Sequence, residues 1–115
     1  METVVSMMKA LGEENRFRMV MMLKMRPMCV CELCAVLNIS ISTVSTHLKQ
    51  LANAGIVESE KDGRWVTYAL RSDEWVTELI ETLSTRVQTN SVIMTDQNRI
   101  SGLNREYCAA ALKNG

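Results

Sequence analysis

The sequence predicts a mainly α domain that carries a single two-stranded β-hairpin. Three observations lead there. Apolar residues recur at helical spacing through most of the first 55 residues, the period switches to two on either side of Asp62-Gly63, and helical spacing resumes after Ser72. A chain of 115 residues that is 47% apolar is long enough for one domain with a real core. Residues 1–90 are expected to form that domain, and 91–115 a tail that is partly helical.

Each element has its own signal. Val4, Met7, Met8 and Leu11 mark a first helix that Gly12 ends. Phe17, Val20 and Met21 mark a second, from Glu14 to Met25. Eight of the nine methionines precede Cys29, which suits an irregular core or interface better than a soft-metal site. Pro27 punctuates, and a short helix follows from Val30 to Leu37. Asn38-Ile39-Ser40 breaks it, and Ser40 is a good N-cap for a helix from Ile41 to Ala54 that stops at Gly55. Val44, Leu48 and Leu51 form the apolar stripe of that helix. Strands are expected at 56–61 and 65–70, with Asp62-Gly63 as the hairpin turn. Ser72 or Asp73 then caps a helix that runs to about Gln88, with Trp75, Leu79, Ile80 and Leu83 apolar. Beyond Thr89 the signal weakens. Val92 to Met94 and Tyr107 to Leu112 are candidates for packing, and a last helix is expected near Asn104 to Lys113.

A short helix, a three-residue break, a longer helix and a hairpin, in that order, make a winged helix-turn-helix. The second helix of such a unit enters the major groove of double-stranded DNA. Its outer face carries Ser42, Thr43, Ser45, Thr46, His47, Lys49 and Gln50, below the capping Ser40, and small hydroxyl side chains reach phosphates and base edges without bulk. Lys61 and Arg64 at the hairpin tip can reach flanking phosphates. His47 also suits helix packing. Trp65 and Tyr68 are expected in wing or core packing.

Charge constrains this reading. The chain has 13 basic and 13 acidic residues, and Ser40 to Ser72 holds four basic (Lys49, Lys61, Arg64, Arg71) against three acidic (Glu58, Glu60, Asp62). Phosphate contacts drive affinity, so one copy is expected to bind feebly. A two-fold dimer would double the contacts, with the first helix and the helix after the wing as its surfaces. No apolar run approaches the roughly 18 residues that span a bilayer. Lys9, Glu13 and Glu14 interrupt the N-terminal apolar stretch, so no signal peptide is expected. A cytoplasmic protein with reduced thiols and no membrane partner follows as the expectation.

Three of the four cysteines, Cys29, Cys31 and Cys34, fall within six residues. Cys31 and Cys34 share a helix face, whereas Cys29 and Cys31 on one helix point apart. Either Cys29 precedes the helix, which Pro27 makes easy, or the first turn must unwind. Three thiolates form a soft anionic site, and zinc normally wants a fourth ligand that no nearby His or second Cys-x-x-Cys supplies. A three-coordinate thiophilic ion fits, with trivalent arsenic or antimony the obvious cases. Buried apolar cysteines are the structural alternative. A thioredoxin-like Cys31-x-x-Cys34 pair needs a βαβ setting that the pattern lacks, so a thiol oxidoreductase, and an enzyme generally, is not expected.

The stretches "ALGEENRFRMVMML", "CVCELC" and "STVSTHLKQLANAGIVESEKDGRWVTYAL" resemble the ArsR/SmtB metalloregulators, most closely the arsenic-responsive members, over residues 6–71. The resemblance implies a homodimeric repressor that leaves its operator when metal binds. It implies As(III) or Sb(III) as inducer, no organic cofactor, and Cys29, Cys31 and Cys34 as ligands with Cys29 and Cys31 the essential pair. It carries DNA contact onto Ser42, Thr43, Ser45, Thr46 and the wing from Lys61 to Arg64. Two positions depart from the pattern: Ile41 stands where relatives often carry Gln, and Thr46 where the arsenic-responsive members often carry Arg. The family's zinc site after the wing needs His, and 73–88 contains none; no cysteine of the cadmium-sensor kind precedes Cys29. Cys108 is expected as a surface thiol. Two further expectations follow. Joining Cys29 to Cys31 should strain the first turn of the short helix and so misplace the recognition helix. The alternative is an oxidant sensor that closes a disulfide with the same cysteines.

Overall fold

The computed structural model describes residues 1–114, with side chains to Ala110. Seven helices and three strands run in the order α1 (Glu2–Leu11), α2 (Glu14–Met25), β1 (Met28–Cys29), α3 (Val30–Leu37), α4 (Ile41–Asn53), β2 (Val57–Asp62), β3 (Trp65–Leu70), α5 (Glu74–Val87), α6 (Ser91–Ile100) and α7 (Arg105–Asn114). No single helix among them is long and apolar enough to cross a membrane.

Helix α2 is the hub. Met19 to Leu23 are all buried, and a helix buried on every side belongs at the centre of a core. Glu13 caps it, its carboxylate accepting from the Arg16 backbone N–H at 2.9 Å. Helices α3 and α4 meet at 113°. The turn rests on Asn38, whose φ of 56° lies in the left-handed region that Asn tolerates better than most residues. Ser40 then caps α4 by accepting from the Thr43 N–H at 3.2 Å. Val44, Leu48 and Leu51 are fully buried, so the predicted stripe is the packing face. Asp73, not Ser72, caps α5, accepting from the N–H groups of Trp75 and Val76.

The hairpin forms with a loop one residue later than the Asp62-Gly63 signal suggests. Asp62 pairs with Trp65, leaving Gly63-Arg64 as the loop. Gly63 has a φ of 61° and Arg64 does not share it, the pattern of a type II′ turn with glycine first.

The sheet has three strands, not two. β1 pairs antiparallel with β3 through Met28↔Tyr68 and Cys29↔Thr67, giving the order β1-β3-β2. Two residues after a proline carry no periodic signal; β1 exists only because β3 offers it an edge. In the tail the expected last helix forms as α7, and ahead of it stands a helix, α6, that the weak signal does not mark. α6 packs on α2 and α3. Asn90 caps it, Ile93 and Ile100 are buried, and buried Asp96 takes a two-armed bond from Arg18 at 2.9 Å on each arm. Arg99 reaches the Val36 carbonyl at 3.3 Å, serving the exposed end of α3. α7 packs on α3. The expected packing of Leu112 lies outside the described side chains, and residue 115 outside the described chain.

Candidate functional site

The two predicted surfaces lie on adjoining elements. On α4, Ser42, Thr43, Ser45, Thr46 and Lys49 are exposed together, with Ser40 at the cap and Ile41 exposed beside it. The hydroxyls are partly committed. Ser40 Oγ meets Thr43 Oγ1 at 2.8 Å, and Thr46 donates to the Ser42 carbonyl at 2.9 Å. The free N–H groups of the first turn point outward along the helix axis, an arrangement that favours anions.

His47 sits differently from its neighbours. Its side chain is 14% exposed and turned toward α2, with Nε2 3.7 Å from the Glu13 carboxylate and Nδ1 3.4 Å from Arg16. Arg16 also donates to Gln50 Oε1 at 2.7 Å and to the Ala10 carbonyl, so this network packs α4 on α2. Burial pushes the Glu13 carboxyl up, but the backbone N–H groups of Arg16 and Asn15 and the charges of His47 and Arg16 outweigh it and hold the group below its ordinary range.

On the wing, Lys61 and Arg64 are exposed. The Arg64 guanidinium lies over the Trp65 ring at 5.2 Å, and Arg105 of α7 approaches the same ring at 5.1 Å. Arg105 also forms an ion pair with Asp62 at 2.9 Å. The wing is therefore braced from below by the C-terminal helix, a contact that the sequence does not signal.

The cysteines occupy the joint between β1 and α3. Cys29 is the N-cap of α3 with extended backbone, and its Sγ lies 2.8 Å from that of Cys31. Cys29 thus precedes the helix, the first of the two arrangements that the sequence allows. A capping residue lies outside the helix, so its side chain folds back over the first turn while α3 stays intact; no unwinding is needed to bring this pair together. Glu32 accepts the Cys29 backbone N–H at 3.1 Å, the reciprocal arm of a capping box, and is itself buried against Arg26 at 2.8 Å.

Cys34, one turn on, is buried. Cys108 is also buried, at 3% exposure, against α3, and this corrects the expectation of a surface thiol. Its helix reads as polar in isolation, and only the docking on α3 hides the thiol. Cys31 Sγ faces the Arg105 carbonyl at 3.7 Å. Among the described residues no three His, Cys, Asp or Glu side chains stand close enough together to hold one ion as they lie.

All four thiols are pushed above their ordinary range, and burial is the largest cause for each. Cys29 rises furthest, to about 12, through burial, the Cys31 contact and the Glu32 charge. The cluster is thus a set of neutral, poorly hydrated S–H groups near neutral pH, suited to a soft ligand that arrives neutral.

Comparison with known proteins agrees with this architecture. Residues 13–59 match the model of the "Bacterial regulatory protein, arsR family". The chain is 33% identical over 99 residues to the arsenic resistance transcriptional regulator ArsR2 of Pseudomonas putida, covering 84% of each chain. It is 30% identical over 113 residues to the arsenical resistance operon repressor of Escherichia coli, covering 96% of this chain and 92% of that one. Among the curated relatives the match spans from 54% to 92% of the relative's own length. HlyU from Vibrio cholerae superposes with a TM-score of 0.70 at 32% identity, over 76% of this chain and 95% of that one. A homodimeric winged helix-turn-helix DNA-binding domain from Mycobacterium bovis, a possible ArsR-family regulator, shares the fold at a TM-score of 0.68 and 22% identity, over 76% of this chain and 80% of that one. The chain belongs to the arsR family of bacterial regulatory proteins, transcription regulators that bind DNA through a winged helix-turn-helix.

Proposed function

We propose that the chain is a repressor of arsenical resistance genes. It binds operator DNA as a homodimer in the cytoplasm and leaves when As(III) or Sb(III) is taken up by the thiols of Cys29, Cys31 and Cys34. The observation that carries this reading is the Cys29–Cys31 pair, two sulfurs 2.8 Å apart on a joint that is hydrogen-bonded to the wing.

The chemistry of the donors favours a neutral metalloid. Arsenous acid, As(OH)3, condenses with three S–H groups to give three S–As bonds and three waters, with arsenic trivalent throughout. Each thiol proton leaves with a hydroxide as water, so the weakened acidity of the thiols does not oppose the reaction. A divalent cation needs thiolates and must displace those protons into solvent. Antimonous acid follows the same balance.

For DNA, Ser42, Thr43, Ser45, Thr46 and Lys49 face the major groove in this reading, with Ser40 and the first turn of α4 toward a phosphate. Exposed Ile41 suits contact with a thymine methyl. Lys61 and Arg64 take flanking phosphates. His47 serves through the Glu13–Arg16 network, which sets the angle of α4. Exposed Val4, Val5 and Met8 on α1 and Trp75 on α5 supply an apolar face for the dimer.

Release runs through the sheet. Drawing a third sulfur toward the Cys29–Cys31 pair moves the β1–α3 joint, and Cys29 is paired with Thr67 in the wing strand. The metalloid needs only to prefer the conformation in which wing and α4 no longer match DNA together.

An oxidant sensor is the second reading, and the same close Cys29–Cys31 approach favours it. The lowered acidity of the thiols counts against it, since the thiolate is the form that oxidants attack. Operator-fragment anisotropy in excess reductant separates the two. Arsenite releases the wild type and spares Cys31→Ser if the metalloid reading holds. A complex that survives arsenite in reductant but is released by peroxide without it overturns that reading.

A further inference from the structure

We infer that Arg16 is the positioning residue that fixes the distance between the two recognition helices of the dimer, and with it the half-site spacing of the operator. This rests on the two-fold dimer through α1 proposed above and identifies how that interface reaches α4.

One guanidinium joins three elements. Arg16 stands in the first turn of α2, where Glu13 accepts its backbone N–H at 2.9 Å. Its Nε donates to the Ala10 carbonyl at 2.7 Å and its Nη2 to the Lys9 carbonyl at 3.2 Å. Both carbonyls lie in the last turn of α1, where a helix runs short of its own donors, and a cation there meets the negative end of the helix dipole. The remaining arm, Nη1, donates to Gln50 Oε1 at 2.7 Å and lies 3.4 Å from His47 Nδ1. His47 and Gln50 are i, i+3 on α4 and so share one face. The amide oxygen of Gln50 is thus committed to Arg16 and withdrawn from base reading.

The apolar stripe of α4 does not supply the same restraint. Val44, Leu48 and Leu51 set how deeply the helix sits, but apolar burial is non-directional and permits small rotations and slides. A planar guanidinium with short hydrogen bonds at both ends is directional, and it fixes the rotation and axial position of α4 against α1. The outer face of α1 carries exposed Val4, Val5 and Met8, the dimer surface of the proposed reading. The path from the two-fold axis to each recognition helix therefore runs through α1 and Arg16 to α4. DNA is strict about the outcome. Half-sites one turn apart require helices about 34 Å apart, and one base pair more or fewer changes that by about 3.4 Å and roughly 35° of rotation.

The test uses the full-length protein and a duplex that it selects from a random-sequence pool. Beside it stand the same duplex with one base pair more or fewer between half-sites, and a duplex with a single half-site. By anisotropy, wild type should lose about tenfold or more in affinity when the spacing changes. Arg16→Met and, independently, Gln50→Ala should bind the selected duplex more weakly, lose most of the discrimination between spacings, and bind the single half-site as wild type does. Gln50 is exposed, so its truncation leaves the core intact and decides the matter even where Arg16→Met fails to fold. The double variant should lose no more than Arg16→Met alone, since both changes cut one clamp. Arsenite affinity should match wild type throughout. Wild-type discrimination between spacings in Gln50→Ala, whether affinity falls uniformly or a base preference changes, overturns the role of Arg16 and leaves the dimer reading intact. A wild type that does not discriminate between spacings overturns both.

Discussion

The weakened acidity of the thiols leads to a prediction about pH that separates metalloid from metal. A thiol at about 12 instead of 9.0 makes the thiolate about a thousandfold scarcer at any pH below both values. For Cys29 alone that is a penalty on the order of 4 kcal/mol against a ligand that requires the thiolate. Each thiol that a divalent cation captures releases one proton, so cadmium or zinc affinity should climb about one decade per pH unit per thiol engaged. Arsenous acid consumes the proton as water, so its affinity should stay level while the acid itself is neutral. The assay is a fluorescence or calorimetric titration of the reduced protein with arsenite and with Cd(II) at intervals from pH 6 to 8. An arsenite affinity that rises a decade or more per pH unit refutes the reasoning, because it means that thiolates are the reacting form. The same shift acts on folding. The folded state keeps its Cys29 proton where the unfolded chain gives it up, so this contribution is intact below about 9 and falls as pH climbs from there toward 12. Apo-protein stability should therefore decline in that alkaline window, and arsenite loading should flatten the decline.

Other perturbations test other parts of the molecule. Asp96→Ala removes a buried acceptor and strands Arg18, whose side chain is 18% exposed; a loss of about 2–3 kcal/mol is expected from the urea midpoint at unchanged slope. A loss below about 1 kcal/mol means that α6 does not depend on this bond. Lys61→Ala should weaken operator binding evenly across sequences and lower the magnitude of the salt slope by about one per protomer, read by anisotropy across a salt series. A change in base preference instead places Lys61 against a base. Arg105→Ala removes the ion pair to Asp62 and the guanidinium over Trp65, and should shift Trp65 fluorescence in a Trp75→Phe background. An unchanged Trp65 emission means that Arg105 does not brace the wing.

Legibility in this chain follows the range of the interactions that fix each element. The helix-turn-helix was readable because its determinants are local: Ser40 caps three residues ahead, Asn38 tolerates the left-handed turn, and Val44, Leu48 and Leu51 repeat on one face. β1 was not readable, because two residues acquire strand geometry only from a partner some forty positions later. α6 hid behind Asp96, a carboxylate at a core position whose partner, Arg18, is 78 residues away. Asn90 ahead of Val92 and Ile93 was the available signal for its start. The three clustered cysteines announced themselves by spacing. Cys108 did not, since nothing in its own neighbourhood distinguishes a buried thiol from a surface one. Of the two arrangements open to Cys29, the structure takes the one that Pro27 makes easy, ahead of α3 as its cap, because a cap is not part of the helix it begins.

The pairing of Met28-Cys29 with Thr67-Tyr68 has a consequence for protein engineering. A metalloid-responsive module cannot be transplanted into another winged regulator as the six-residue cysteine motif alone. The recipient would keep its own third strand, and the grafted cap would lose the edge that orients its sulfur. The smallest portable cassette is discontinuous: residues 28–34 together with the strand from Trp65 to Leu70. Biosensors built by swapping both pieces should inherit the response, whereas those built from the motif alone should inherit only the affinity.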